Sequence, residues 1–310
     1  MFALAKRNKI ALPFANVEAV RAAYAFSNLQ DFLDIYYQGA QVLQTQEDFH
    51  DLAIAYFRRA AQDGMVHAEI FFDPQTHTDR GVPFVVVADG LLSGMTQAQR
   101  ELGVSSKLIL CFLRHLDEEA AFATLKQAEP YFDRIAGVGL DSSELGHPPS
   151  KFQRVFEAAR AQGLKLMAHA GEEGPPAYVW EALDDLKIDR IDHGNRALED
   201  PRLIRRLVAD GTTLTVCPLS NLKLCVVNDL TAHPLKRMLE LGLKATINSD
   251  DPAYFGGYLG ANWIATAQAL QLDRTDLLTL ARNSFTGSFL GPSEVATHLT
   301  SLDRFVAQVD

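Results

Sequence analysis

The sequence predicts an α/β fold, a (β/α)8 TIM barrel, in a single domain that spans residues 1–310. Short runs rich in Val, Ile and Leu alternate seven times with longer segments of helical period. The runs are continuously apolar, as in Leu108-Ile109-Leu110, which is typical of parallel strands covered on both faces. No Pro/Ser-rich linker and no shift in composition divides the chain, so one domain is favoured over two.

Each strand is predicted from one such apolar run, and each helix from the amphipathic stretch between two runs. The strands are predicted at Met65–Asp73, Lys107–His115, Ile135–Asp141, Lys165–His169, Arg190–His193, Thr213–Cys217 and Lys244–Asn248. Helices between them include Phe49–Asp63, Glu118–Ala128, Lys151–Gln162, Pro201–Ala209 and Pro234–Leu241. Several helices end at a glycine just before the next strand, where a left-handed residue is common, at Gly64, Gly163, Gly211 and Gly242.

The residues at the strand ends favour a closed barrel over a doubly wound sheet. A nucleotide-binding sheet of the second kind has a glycine-rich turn after its first strand, and the sequence contains no G-x-G-x-x-G. Nearly every strand runs instead into polar or ionisable residues. In a barrel these ends converge on one face, where the catalytic residues lie. The polar and ionisable residues at the strand ends are Asp73, Arg114-His115, Asp141–Glu144, His169 with Glu172, Asp192-His193, Ser220-Asn221 and Asn248–Asp251.

The start of the chain indicates an incomplete barrel. Phe2, Leu4 and Ala5 place an amphipathic helix at the first residues, without a capping residue before it. Seven strands are readable where a barrel has eight. We therefore expect the first strand of the barrel to lie upstream of Met1, and its two neighbours to have unpaired edges.

Charge and composition exclude several classes of function. The formal net charge is −10, and no run of Lys or Arg supplies the basic face of a duplex nucleic-acid binder. No apolar run reaches the ~18 residues needed to span a bilayer, and the features of a signal peptide are absent. The three cysteines form no CxxC pair. We expect a cytoplasmic protein with no nucleic-acid or membrane partner.

Three segments carry residues suited to metal chemistry, each just after a predicted strand. They are Ala168–Glu173, Ile191–Gly194 and Asn248–Pro252. An imidazole and a carboxylate are standard zinc ligands, and a second such pair can act as base and acid around a water molecule. Cys217 and Cys225 are too far apart in the chain for a chelating turn and are expected to be core thiols.

These motifs resemble the adenosine/adenine deaminase family, metal-dependent amidohydrolases with a (β/α)8 barrel. The resemblance rests on His169-Ala170-Gly171-Glu172, Asp192-His193-Gly194 and Asn248-Ser249-Asp250-Asp251-Pro252, in that order along the chain. Two further segments, Phe72–Thr78 and Gly139–Glu144, are similar to the bacterial and fungal adenine deaminases. The resemblance implies a zinc-dependent conversion of adenine to hypoxanthine and ammonia, in purine salvage or nitrogen catabolism.

The resemblance also implies a role for each matching residue. His169 and Asp250 are expected to bind one Zn²⁺, and Glu172 to donate a proton to the purine N1. His193 is expected to orient and deprotonate the attacking water, and Asp251 to bind the ring near N7. Gly171 is expected to let the backbone approach the purine closely.

Two expectations concern carboxyl groups. Glu172 can donate a proton only if it is held protonated, so we predict a raised pKa. Glu144 follows the fourth strand of the barrel, counted with the strand expected upstream, and it is predicted to accept a hydrogen bond from the N9–H of a free base. Such a contact favours adenine over adenosine.

One element of the family pattern is missing. The family carries a His-x-His pair of zinc ligands after its first strand, whereas this chain has no His before His50 and no H-x-H. His169 and Asp250 alone are fewer ligands than the three or more that usually hold catalytic zinc. Three alternatives stay open: an adenosine deaminase, a deaminase of modified adenine, and an inactive truncated barrel that at most binds purine. The oligomeric state is not predicted.

Overall fold

The computed structural model describes the backbone of residues 1–309 and the side chains of residues 1–308. Seven parallel strands form one curled sheet in the order β1 to β7, which confirms the predicted alternation. The strands are β1 (His67–Phe72), β2 (Ser105–Leu113), β3 (Ile135–Asp141), β4 (Lys165–Ala170), β5 (Arg190–His193), β6 (Thr213–Val216) and β7 (Lys244–Ile247). Within residues 1–309, β1 and β7 are the two edges and no eighth strand lies between them.

Sixteen helices surround the sheet and cover its ends. They are α1 (Phe2–Asn8), α2 (Val17–Ala23), α3 (Leu29–Ala40), α4 (Gln46–Ala61), α5 (Gln75–Thr78), α6 (Phe84–Leu102), α7 (Glu118–Ala128), α8 (Gln153–Ala161), α9 (Pro176–Asp184), α10 (Pro201–Asp210), α11 (Pro218–Lys223), α12 (Leu235–Glu240), α13 (Pro252–Phe255), α14 (Leu259–Leu270), α15 (Arg274–Thr286) and α16 (Pro292–Val309). None of these helices combines the length and apolarity that a membrane span needs.

The strands are buried on both faces, as their continuous apolar runs predict. Leu108, Leu110 and Phe112 of β2 are fully buried in the main core, which lies between the sheet and the helices. Ile109 and Cys111 point to the other side, into the barrel interior. Burial of both faces fixes the strand register, because a shift by one residue would exchange the two sets.

An ion pair crosses the barrel interior near the amino ends of the strands. Glu69 of β1 binds the guanidinium of Arg190 of β5, and both side chains are less than a tenth exposed. The centroid of the Phe289 ring lies 4.3 Å from the Arg190 guanidinium. The backbone N–H of Phe289 donates to the Glu69 carboxylate at 2.5 Å. This packing fills the bottom of the barrel and leaves the opposite end for the polar strand termini.

Helix α3 covers the carboxyl ends of the strands. The backbone N–H of Leu29 donates to Glu173 at 3.0 Å, and the Tyr37 hydroxyl lies 2.9 Å from the hydroxyl of Ser142. Aromatic side chains of α3 pack against α13, with 4.7 Å between the ring centroids of Phe32 and Phe255. The helix therefore forms one wall of the chamber above the sheet.

Helices α4 and α6 cross at two glycines of α6. A Cβ atom at Gly90 would lie 2.6 Å from the carbonyl oxygen of Gln46, and one at Gly94 would lie 2.7 Å from the Cβ of Ala53 and 2.8 Å from the carbonyl oxygen of His50. Because a backbone atom cannot move aside as a flexible side chain can, the two helices approach this closely only at glycine.

The variant Gly94→Ala is expected to lower the free energy of unfolding by up to about 2 kcal/mol. Overpacking costs about 1–3 kcal/mol, which exceeds the ~1 kcal/mol that alanine contributes over glycine in a helix. The measurement is a thermal or urea unfolding curve. Val85→Ala is the matched control, because Val85 lies exposed on the same helix. A Gly94→Ala protein at least as stable as the parent would contradict the close crossing.

Candidate active site

The three segments singled out in the sequence meet at the carboxyl ends of the strands. His169 is on β4, His193 is the last residue of β5, and Asp250 follows β7. The imidazole rings of His169 and His193 are 5.0 Å apart, and Nε2 of His193 is 3.9 Å from an Asp250 carboxylate oxygen. His193 and Asp250 have φ angles of 63° and 54°, in the left-handed region that non-glycine residues rarely adopt. Such backbone strain is common where function requires a side chain to leave the strand direction.

His169 is held as a neutral imidazole. Burial, helped by the neighbouring His193, lowers the pKa of His169 to about 3. Its Nδ1 lies 3.5 Å from the Asp192 carboxylate. His169 Nδ1 and Asp192 Oδ2 are both buried, and neither has a hydrogen-bond partner among the residues described. A carboxylate beside one ring nitrogen is the usual way to orient a metal-binding histidine, because it leaves the other nitrogen free as a ligand.

The donor atoms around Asp250 suit a zinc ion. One ligand atom each from His193, Cys217 and Asp250 lie within 4.8 Å of one another, and His169 lies beside His193. Nitrogen, sulfur and carboxylate oxygen are the donors that zinc prefers. Burial raises the pKa of Cys217, so its sulfur is a thiol unless a cation is bound.

The expectation of two core thiols is wrong for Cys225, which lies in a surface turn after α11. Cys217 is buried, but next to the site and not in the apolar core, and Cys225 is exposed.

Glu172 has the raised pKa that the sequence predicted. Its carboxyl group is 3% exposed, and burial raises its pKa to about 8. It lies 3.5 Å from Nδ1 of His193, and the Asn221 amide approaches both side chains, at 3.5 Å and 3.3 Å. At neutral pH Glu172 is a protonated acid in contact with an imidazole.

His193 is a stronger base than an ordinary histidine. Burial lowers its pKa, but the carboxyl groups of Glu172, Asp250 and Asp192 outweigh that effect and raise it. The site therefore places a proton donor, Glu172, beside a proton acceptor, which is the arrangement that general acid–base catalysis needs.

Glu144 binds the loop that carries Glu172. One of its oxygens accepts the backbone N–H of Gly171 at 2.6 Å, and the other accepts those of Glu173 and Gly174 at 2.8 and 2.7 Å. The carboxylate is 1% exposed. The structure thus assigns Glu144 to the loop backbone, and the contact with N9–H stays a prediction.

Gly171 and Asp251 also lie in this chamber. Gly171 has a φ of +76°, and a Cβ there would lie 2.8 Å from the side chain of Val179, so the turn requires glycine. Burial and the adjacent Asp250 raise the pKa of Asp251 well above its usual range. A protonated Asp251 can donate a hydrogen bond, as an interaction with a purine nitrogen requires.

Arg114 is a site residue to which the sequence analysis assigned no role. Its side chain is fully buried, and it donates to the carbonyl oxygens of His169 at 2.7 Å and His147 at 2.9 Å. It thereby fixes the end of β4 that carries His169. In the sequence, this role could have been suspected because Arg114 directly follows a continuous apolar strand, and a charged side chain buried there needs specific partners.

Comparisons with known proteins agree with this geometry. A model of the adenosine deaminase family matches residues 1–304. The curated adenine deaminase of Caulobacter vibrioides is 69% identical over 307 residues, which cover 99% of this chain and 89% of that protein. The crystal structure of adenine deaminase from Arthrobacter aurescens matches with a TM-score of 0.97 and 47% identity, over 99% of this chain and 94% of that one.

A second solved structure bears on the metal. The crystal structure of an amidohydrolase from Burkholderia ambifaria with bound Zn matches with a TM-score of 0.89 and 27% identity, over 99% of this chain and 87% of that one. The family is metal-dependent, in agreement with the donor set around Asp250. The chain is therefore a hydrolytic deaminase that belongs to the adenosine deaminase family, with adenine deaminases among its relatives at 57–69% identity.

Proposed function

We propose that this chain deaminates adenine to hypoxanthine and ammonia, as a cytoplasmic enzyme of purine salvage and nitrogen catabolism that binds a small-molecule purine and neither nucleic acid nor membrane. The observation that carries the proposal is the buried acid–base pair of Glu172 and His193, beside His169 and Asp250. Because adenine deaminases are among the relatives of this chain, we favour the free base as its substrate.

His169 and Asp250 would hold one zinc ion, with Cys217 within reach as a further donor. When bound, zinc supplies a Lewis acid that makes water nucleophilic at neutral pH. The neutral imidazole of His169 suits this role, since a protonated histidine cannot ligate a metal.

The protein's own residues orient the substrate and move two protons. Glu172 donates its proton to N1 of adenine, which makes C6 more electrophilic. His193 takes a proton from the water that attacks C6 and returns it to the leaving amino group. Asp251 donates to N7 and fixes the ring. As ammonia leaves, the second proton of the attacking water passes from O6 to Glu172, which restores the acid and gives hypoxanthine.

The variant Glu172→Gln is expected to lower kcat by about 10²–10⁴, the usual contribution of a general acid. Gln keeps the shape and the contact with Asn221 but has no acidic proton. The measurement is ammonia release from adenine by metal-loaded protein. Glu157→Gln serves as the control, because Glu157 is exposed on α8 and belongs to none of the segments that form the site. A near-normal rate in Glu172→Gln would exclude the proposed acid.

The pH dependence of the rate follows from the same proton. Because the pKa of Glu172 is about 8, the acid form is present below this pH and is lost above it. The rate for adenine is expected to fall as the pH rises through about 8. The residual rate of Glu172→Gln should lack this alkaline decline. An identical decline in both proteins would assign the titration to another group.

Asp250→Asn is expected to lose zinc. The measurement is the zinc content per chain of purified protein after loosely bound metal is removed. Asp251→Asn is the control, since its side chain is proposed to touch the purine and not the metal; it should keep zinc and lose adenine affinity. Unchanged zinc in Asp250→Asn would contradict its role as a ligand.

The substrate is decided by rates measured side by side. We expect adenine to be turned over faster than adenosine or N6-methyladenine. A chain that binds adenine but releases no ammonia with zinc present would instead support a non-catalytic purine-binding barrel.

A further inference from the structure

A second carboxyl pair lies outside the residues described so far. Asp73 directly follows β1, and Asp141 is the last residue of β3. Their oxygens and Cys111 Sγ of the intervening strand lie within 4.8 Å of one another. Two buried carboxyl groups this close together cannot both be ionised, so the pair holds one proton.

The pair has unused hydrogen-bonding capacity. One oxygen of each carboxyl group, Oδ1, is buried and has no partner among the described residues. Apart from the Cys111 thiol, which contacts Asp141, no side chain in residues 1–308 donates to either group. Buried acceptors are normally satisfied, so free ones indicate a missing proton or ligand.

The pair faces the same chamber as the acid–base site. The charge of Asp73 raises the pKa of Asp251. The charges of Asp73 and Asp141 also raise the pKa values of the Tyr36 and Tyr37 phenols of α3, and Asp251 raises the pKa of Tyr36 further. The pair is therefore a neighbour of Asp251 across the chamber that α3 covers.

The topology places the pair opposite the reacting carbon. The groups proposed to act around C6, N1 and N7 come from β4, β5, β7 and the loops that follow them. Asp73 and Asp141 come from β1 and β3, on the remaining side of the curled sheet. In adenine, the edge opposite C6 carries N3, an acceptor, and N9–H, a donor.

We propose that the Asp73–Asp141 pair binds the N3/N9–H edge of the free base and so sets the preference for adenine over purines substituted at N9. This inference rests on the proposed function and adds the determinant of its substrate. A pair that shares one proton offers one donor and one acceptor, which match N3 and N9–H. A substituent on N9 removes the donor and points at the pair, so a nucleoside loses this interaction and meets the carboxyl groups.

The direction of the two pKa shifts assigns the donor. Burial raises the pKa of both groups, and the neighbouring Asp73 raises that of Asp141 further, well above the usual range. Asp141 is then the protonated group that donates to N3, and Asp73 accepts from N9–H.

The test compares adenine with 9-methyladenine and 3-deazaadenine, which lack the N9–H donor and the N3 acceptor. The parent protein is expected to prefer adenine over each analogue by about 10²-fold or more in kcat/KM. Asp73→Ala should raise KM for adenine more than it lowers kcat. It should also reduce the preference for adenine over 9-methyladenine to below about tenfold in kcat/KM. Asp141→Ala should likewise reduce the preference for adenine over 3-deazaadenine. Asp141→Asn keeps a donor, so its preference should be closer to that of the parent protein.

Controls separate folding and metal loss from recognition. Asp79→Ala is the matched control, since Asp79 is exposed six residues after Asp73. Every variant is checked for zinc content, thermal stability and affinity for hypoxanthine by calorimetry. If Asp73→Ala does not fold, Asp73→Ser replaces it. The hypoxanthine affinity should fall about tenfold or more in the folded Asp73 variant, and this measurement needs no turnover.

Several outcomes would overturn the inference. One is a folded Asp73 variant with the discrimination of the parent, above all if Glu144→Gln abolishes it, since Glu144 is the competing acceptor. Another is a second metal ion per chain that disappears in Asp73→Ala. If the parent protein releases no ammonia from adenine, the proposed function fails instead. The hypoxanthine titration then still decides whether the pair binds purine.

Discussion

The active-site loop depends on one buried carboxylate. Glu144 accepts three backbone N–H groups of the segment 171–174 and thereby satisfies donors that would otherwise be buried without partners. A Cβ at Gly174 would lie 2.5 Å from this carboxylate, so only glycine lets the chain come so close. The loop holds Glu172 in place, and Arg114 fixes the strand end that carries His169. Acid and candidate ligand thus belong to one rigid unit.

Burial sets the protonation states of this unit. Removal from water disfavours the charged form of each group, which leaves Glu172 and Asp251 protonated and His169 neutral. His193 responds in the opposite direction because carboxyl groups surround it. Groups 3.5 Å apart therefore have pKa values shifted to suit donation by one and acceptance by the other, without contact with bulk water.

The strands were predictable because their signal is local. A parallel strand buried on both faces is a continuous apolar run, and the predicted bounds of Ile135–Asp141 and Arg190–His193 agree with the structure. Four other predicted strands extend one or two residues too far at their carboxyl ends, since the residues there belong to the site loops, whereas Lys165–His169 ends one residue short of β4. The covering helix α3 was not assigned. Its aromatic residues face other elements of the fold, so their role depends on contacts distant in sequence.

The sequence alone determined that polar and ionisable residues stand at the ends of parallel strands, and it predicted that His169, Glu172, His193 and Asp250 form the reactive set. Local patterns suffice for this because strand ends and motifs are short. Only the tertiary structure decided that Glu144 binds backbone amides and that Asp73 meets Asp141, 68 residues away in the chain. Those facts depend on strand register, on close approach at glycines and on loss of water, and none of these is encoded within a single segment.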